Sequence, residues 1–327
     1  MNDGQSSGLT VVTGLTEVSA ILVQKMDLRL IIDNLRGKLL NYDRDFIDKY
    51  KIDELIARSK SEKNGFCINY ADNDIVKNIE YVSKIYDDTC KYYLNKYIIV
   101  SLISNSLNLI DEYPEAIRKL FGERFNLIAN DIVDNPDKPY DFDSDIFRKD
   151  ISICCLNMFP VGALVVHVGG IGRIFMLKGG IKQFVNSSHF YLFRMRNNYP
   201  YYQMHADPRR LSEFTEEGWN KCYLRIAEML KKHEHIRGIN GGSWFYDPMV
   251  EKISPRLSYL RKIPLSNGAR IFRSGVNESE AVKNATLTSE TRRKLYFSGE
   301  YHPTSYEMIW MRDDVIKWAN ANQNILF

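Results

Sequence analysis

The stretch from Asp131 to Asp145 constrains this chain most. It holds Asp134, Asn135, Pro136, Asp137, Pro139, Asp141, Asp143 and Asp145. Turn formers and like charge at that density make a poor helix or strand and a good surface connection. The texture differs on its two sides. Upstream, Leu28, Leu30, Ile31, Ile32, Leu35, Leu39 and Leu40 form a helical stripe. Ile75, Ile79, Val82, Ile85 and Tyr86 recur at three and four, and the pattern runs on through Tyr93 and Tyr97. That period predicts amphipathic helices, and Pro114 suits the first turn of another over 115–121. Downstream, short β-branched and apolar runs lie between Pro160, Gly162 and Gly169-Gly170. Strands are expected over 151–158, 163–168, 174–177, 190–195 and 201–205. A long helix over 213–232 is expected to bury Trp219, Tyr223, Ile226, Ala227 and Leu230, and a last helix is expected at 315–321. The expected organisation is a disordered tail over 1–8, a helical domain over 9–135 and a mixed α/β domain over 146–327 that carries the site. The fold class is α+β or α/β, a helical N-terminal half followed by a mixed sheet with helices.

Net charge is only +3 over 327 residues, which gives no case for a dedicated nucleic-acid binder. The five cysteines, Cys67, Cys90, Cys154, Cys155 and Cys222, are odd in number and lack CxxC spacing. A disulfide framework or zinc ribbon is not expected, and a reducing, cytoplasmic setting is. No apolar run reaches the roughly 18–20 residues of a membrane helix. The moderately apolar stretch 9–23 is interrupted by Thr10, Thr13, Thr16, Glu17 and Ser19 and makes a poor signal peptide.

Several segments carry side chains suited to chemistry. Gly169-Gly170-Ile171-Gly172 reads as a hairpin turn rather than a phosphate cradle, because Ile174 to Leu177 looks like a strand and not a helix start. His205-Ala206-Asp207 places an imidazole and a carboxylate two apart, on one face if a strand ends there. Such a pair serves as an oriented general base or as two metal ligands, whereas Asp207 before Pro208 also reads as a helix cap. With His302 and Arg312, ten residues further on, the pair resembles the HxD…H facial triad of iron and 2-oxoglutarate oxygenases. That resemblance implies His205, Asp207 and His302 as ligands.

The densest segment runs from Gly238 through Gly241, Gly242, Ser243, Trp244, Phe245, Tyr246 and Asp247 to Pro248. A flexible glycine-rich entry would let backbone approach a ligand walled by Trp244 and Tyr246; the alternative places the aromatics in a core. Asp247-Pro248 and Ser254-Pro255 both read as cap plus first helical residue. Arg256, Tyr259 and Arg293 are further ligand candidates, the arginines for an anionic group.

Tyr202-Gln203-Met204-His205, a helix of about twenty residues, then His233 to Gly238, Ser243-Trp244 and Asp247-Pro248 resemble in order the GNAT-like C-terminal domain of bacterial acyltransferase-domain proteins. The match spans 190–260. Phe245-Tyr246-Asp247 and Ala206-Asp207 depart from that pattern, and the Q/R-x-x-G-x-G/A loop of acetyltransferases is absent. The strings SWFYDP and SPRLxYL are also shared with other bacterial proteins. The resemblance implies transfer of an acyl group from a thioester such as acyl-coenzyme A to an amine or hydroxyl of a small-molecule substrate. His205 would act as base oriented by Asp207, Tyr246 as acid toward the thiolate, and the backbone near Gly241-Gly242 as oxyanion donor. A non-catalytic module for an anionic ligand or protein partner is the remaining expectation.

Overall fold

The computed structural model describes residues 28–59, 73–173, 175–276 and 278–325. The expected tail, the stretch 9–23, Cys67 and Ile174 lie outside the described residues. The chain divides into two compact units, the second taking Tyr113–Ile117 and the residues from Met158 onward.

The first unit is helical: α1 (28–40), α2 (Phe46–Lys49), α3 (Ile52–Arg58), α4 (Asn73–Val82), α5 (Asp88–Ser106), α6 (Glu115–Asp134, its first turn in the second unit) and α7 (Asp145–Cys154). The stripe running from Ile75 past Tyr97 belongs to two helices. Asp87 is extended and its carboxylate accepts the Cys90 N–H, so α5 starts afresh there. Leu94, Ile98, Ile99, Val100, Leu102 and Ile103 are all buried, so α5 is covered on most sides. The strand expected over 151–158 is a correction. Ile151 to Cys154 finish α7, which Ser144 caps, and only Met158 joins a strand. A four-residue apolar run does not distinguish helix from strand, and the cap upstream decided it.

The second unit contains β1 (Met158–Pro160), β2 (Leu164–Gly169), α8 (Phe175–Lys178), α9 (Gly180–Phe190), β3 (Tyr201–Ala206), α10 (Glu216–Lys232), β4 (Gly238–Ser243), α11 (Pro248–Ile253), α12 (Tyr259–Ser266), β5 (Arg270–Val276), α13 (Ser279–Thr286), α14 (Glu290–Phe297), β6 (Thr304–Met311) and α15 (Arg312–Ala321). One six-stranded sheet runs in the order β1-β2-β3-β4-β6-β5. Every neighbouring pair is antiparallel except β3 and β4, which are parallel and joined through α10. The mixed α/β class is as expected, and so are β3, the buried face of α10 and the last helix. Three expectations are corrected. Gly169 does not open a hairpin: the chain passes from β2 through a loop into α8. Residues 190–195 end α9 in a π-helical turn instead of a strand. The glycine-rich run from Gly238 is a strand, held by six register pairs to β6 rather than flexible.

Paired residues across a ladder face the same way and successive residues alternate. One face of the sheet therefore carries His167, Gln203, His205, Asn240, Gly242, Glu307, Ile309 and Phe272. Its inner part packs under α8 and α9, where Tyr201, Phe272 and Ile309 meet Phe175, Phe190 and Met195. The opposite face packs on α10 and α15. There Trp310 meets Tyr223 at 5.2 Å and Trp318 at 5.7 Å between ring centroids.

Candidate active site

The central ladder of the sheet is short. β3 pairs with β2 over six residues and β4 with β6 over six, but β3 and β4 pair only at Tyr202↔Ile239 and Gln203↔Asn240. Beyond those two pairs, Met204 to Ala206 and Gly241 to Ser243 have no ladder between them. The wedge is this unpaired notch between the two strand ends; Met204 still borders it closely, its Cβ 3.7 Å from a Cβ built on Gly241. Gly242 is consequently exposed although β4 is an interior strand.

The floor of the wedge on the α8–α9 face carries an unusual acid. Glu307 lies directly across from Gly242, and its Oε2 is 2.9 Å from where a Cβ on that glycine would stand. The absence of a side chain at residue 242 makes room for the carboxyl. Asn240 Nδ2 donates to Glu307 Oε1 at 2.8 Å. Burial pushes the Glu307 carboxyl up to about 7, and the Asn240 amide opposes that rise only in part. Glu307 still keeps some accessible surface. Strong desolvation with residual solvent contact is what a group at the bottom of a crevice shows. A carboxyl balanced near neutrality is suited to accept a proton at physiological pH.

The facing wall is built from two imidazoles. His205 Nε2 lies 3.1 Å from His167 Nδ1, with the rings 17° from parallel. Desolvation lowers the His167 pKa to about 4, so this ring is neutral at pH 7. On its other side, a Cβ at Gly169 would stand 3.0 Å from His167 Nε2 and 2.7 Å from Gln203 Oε1. The second glycine thus seats His167 and Gln203 as the first seats Glu307. His167, Gln203 and Asn240 occupy one register row, and His205, Gly242 and Glu307 the next. In a flat sheet His205 and Glu307 would be two strand spacings apart, about 10 Å.

The other sequence-derived candidates are distributed more widely. Asp207 is fully buried, its N–H donating to the Ala163 carbonyl and its carboxylate accepting the Arg209 N–H at 3.0 Å. It closes a turn after β3, and α10 is capped by Thr215 instead. His205 is oriented by His167. Tyr246 is buried on the other side of the sheet: its hydroxyl comes within 3.5 Å of a Cβ built on Gly241, beside Met204 on the α10 face. Burial raises its pKa well above the ordinary phenol, and the structure does not bring it together with His205. Asp247 caps α11 through the Met249 N–H, as expected, and is buried.

Trp244 stacks under the buried Arg292, whose guanidinium carbon is 4.6 Å from the ring centroid. Arg292 also donates to Ser254 Oγ at 2.9 Å, so Ser254 receives a guanidinium rather than capping a helix. Ser243 ends β4, partly exposed, and Tyr259 is buried at the start of α12. Arg256 is exposed, and Arg293 is exposed and donates to the Thr286 and Leu287 carbonyls. His302 is exposed in the turn before β6. Among the described residues no three His, Cys, Asp or Glu side chains are grouped as a metal site, so His205, Asp207 and His302 do not form the facial triad.

Glu307, His167, Gln203 and Asn240 were not singled out from sequence. The readable signal for Glu307 is an acid in phase with Ile309 within the run Met308-Ile309-Trp310, a charge on the core side of a strand.

No family model and no curated protein matches the chain. Solved structures similar to it include an acyltransferase in complex with decanoyl-CoA and teicoplanin, with TM-score 0.43, 10% identity, and 82% of this chain and 87% of that one covered. An acyltransferase in complex with CoA and 10C-Teicoplanin gives TM-score 0.41 and 10% identity over 81% and 86%. Similarity this low leaves the chemistry to be read from this chain's own residues.

Proposed function

We propose that the second unit is a GNAT-like acyltransferase domain that uses the β3–β4 wedge to hold a thioester donor and Glu307 to accept the acceptor's proton. The observation that carries this reading is the placement of Glu307, desolvated with a single neutral amide partner and with Oε2 beside Gly242 where the β3–β4 ladder ends; burial there pushes the carboxyl up to about 7. An extended donor arm bearing amides, as in acyl-coenzyme A, can complete the ladder that β3 and β4 leave unfinished, in the manner of an added strand. The strand-edge N–H groups of Gly241 to Ser243 are then available to a developing oxyanion.

The chemistry balances simply. The amine or hydroxyl of a small-molecule acceptor attacks the thioester carbonyl carbon, Glu307 takes its proton, the C–S bond breaks and the thiolate leaves to be protonated. Asn240 holds Oε1 and leaves Oε2 facing the wedge. His205, steadied by His167, orients the acceptor from the other wall. The base therefore moves from His205, favoured by sequence, to Glu307.

The test measures thiol release from acetyl- through decanoyl-coenzyme A, with and without an amine panel, alongside thermal shifts with the same donors. A donor at a hundred times its dissociation constant adds about 2.7 kcal/mol of stability. Glu307→Gln should keep that shift and lose turnover, while His205→Gln should lose less. No shift with any thioester would sink the reading.

A further inference from the structure

α9 has two outward-looking features that the proposed chemistry does not use. Its inner side is anchored by a polar residue: Gln183 Nε2 donates to the Phe175 and Arg273 carbonyls at 2.6 and 2.9 Å, and its Oε1 accepts the Arg273 N–H at 2.9 Å. Phe190 and Ser187 are buried on that same side. The helix therefore cannot roll to bury its outer side. Yet that outer side is apolar. Leu177 is 71% exposed, Ile181 85%, Leu192 65% and Phe193 64%, with Phe184 and Val185 also exposed. Within α9, spacings of three and four align Ile181, Phe184 and Val185 as one stripe, with Leu177 of α8 and Leu192 and Phe193 of the following turn exposed at its two ends. Isolated exposed leucines need no explanation, but a contiguous stripe of this kind marks an interaction surface.

The charge around the stripe identifies its partner. Arg173, Lys178, Lys182 and Arg196 are exposed beside it. Between Asp150 and Asp207 the sequence contains no Asp or Glu at all. Among the described residues none of these four is in an ion pair, Arg173 lies over the Tyr191 ring at 5.0 Å, and Arg194 of the same segment pairs with Asp314 at 2.7 Å. A second copy of this chain would bring the same unpaired cations together around a shared apolar patch. An anionic bilayer matches both features, taking the apolar stripe into its interface and the cations at its headgroups.

We propose that the surface formed by α8, α9 and the following π-helical turn docks on an anionic lipid bilayer. The attachment is peripheral, since among the described residues no helix is long and apolar enough to cross a membrane. The proposal is independent of the acyl-transfer reading. The stripe lies on elements that cover the same sheet face as Glu307, so docking would hold that face close to the lipid surface.

Co-sedimentation of the full chain with vesicles tests it, comparing phosphatidylcholine alone with phosphatidylcholine–phosphatidylglycerol. Binding is expected to the anionic vesicles only, and to weaken as salt is raised. Ile181→Glu with Phe184→Glu should lower the partition coefficient by about tenfold or more, and Lys178→Glu with Lys182→Glu by a similar factor, on the order of tenfold. All four residues are exposed, so an unchanged melting temperature controls for folding in each variant. Absence of binding overturns the proposal, whether the chain is monomeric by light scattering or forms a dimer that Ile181→Glu breaks. Equal, salt-insensitive binding to both vesicle types overturns it too.

Discussion

Asp150 in the helical unit and Glu307 in the mixed unit are both carboxyls removed from water, and their surroundings differ. Asp150 receives a full set of partners: Arg124 Nη1 lies 3.2 Å from Oδ1, and the Tyr140 hydroxyl donates to Oδ2 at 2.6 Å. Both members of the ion pair are buried. Glu307 receives one neutral amide from Asn240, and its second oxygen faces the vacant side of Gly242. Burial is common to both, so burial is not what makes a carboxyl reactive. A cation compensates the charge of Asp150, tying α6 to α7. Without such compensation at Glu307, desolvation acts on the proton equilibrium.

That contrast is open to direct attack. The largest effect is expected from Glu307→Gln, which should lower acyl transfer by about 10²- to 10⁴-fold, the range for a lost general base, with the thioester-induced thermal shift retained. Loss of the shift along with turnover would make Glu307 a binding group. The counterpart is Asp150→Ala. Stranding Arg124 in the interior should cost about 3–5 kcal/mol, read by denaturant unfolding. If stability held, Asp150 would not be the structural carboxyl of the comparison.

A smaller effect concerns pH. The folded pKa of Glu307, about 7, lies above its ordinary 4.5. The neutral form is the one the fold prefers. Its contribution is full below pH 4.5 and is lost as pH rises through 7. Glu307→Gln should therefore gain on the wild type over that window, by up to about 3 kcal/mol at pH 8. Turnover should move oppositely, rising through pH 7 to a plateau as the base ionises. Equal stability of the two proteins at pH 5 and pH 8 would remove the desolvation argument. Smallest is Gly242→Ala. Its new Cβ would press on Oε2 at 2.9 Å, the movable end of a side chain, so turnover should fall about tenfold, near 1.4 kcal/mol of barrier, with melting unchanged. A large loss of stability there would mean that the gap is needed for packing.

Local signals in the sequence were reliable in part: Asp247 caps a helix, whereas Asp207 and Ser254 do not, and the long stripe from Ile75 past Tyr97 is helical but broken at Asp87. The buried face of α10 from Trp219 to Leu230 and the cap at Asp247 are present as read. Short apolar runs were not. Residues 151–154 and 190–195 carry β-branched or aromatic side chains that suit either state, and the neighbouring cap or helix settled them. For the site, His205 at the end of β3 was legible. Its partner was not, because His167 reaches it only through the β2–β3 register. Glu307 and Asn240 are separated by 67 positions and meet only when β4 lies against β6. Tyr246 was misplaced for a related reason: the strand that turns Gly242 toward Glu307 sends the next element to the far side of the sheet.

The two-pair junction between β3 and β4 has a mechanical meaning as well. It makes the sheet two three-stranded leaves, β1-β2-β3 and β4-β6-β5, joined along a seam far shorter than the six-residue ladders beside it. Each leaf is stiffened by its own ladders, and the seam has few backbone hydrogen bonds of its own; the α8–α9 core bridges the leaves by packing on Tyr201 of one and on Phe272 and Ile309 of the other. A chain lying in the gap would act as a splice, turning two leaves into one continuous sheet. Occupancy would then be felt as rigidity across the whole unit.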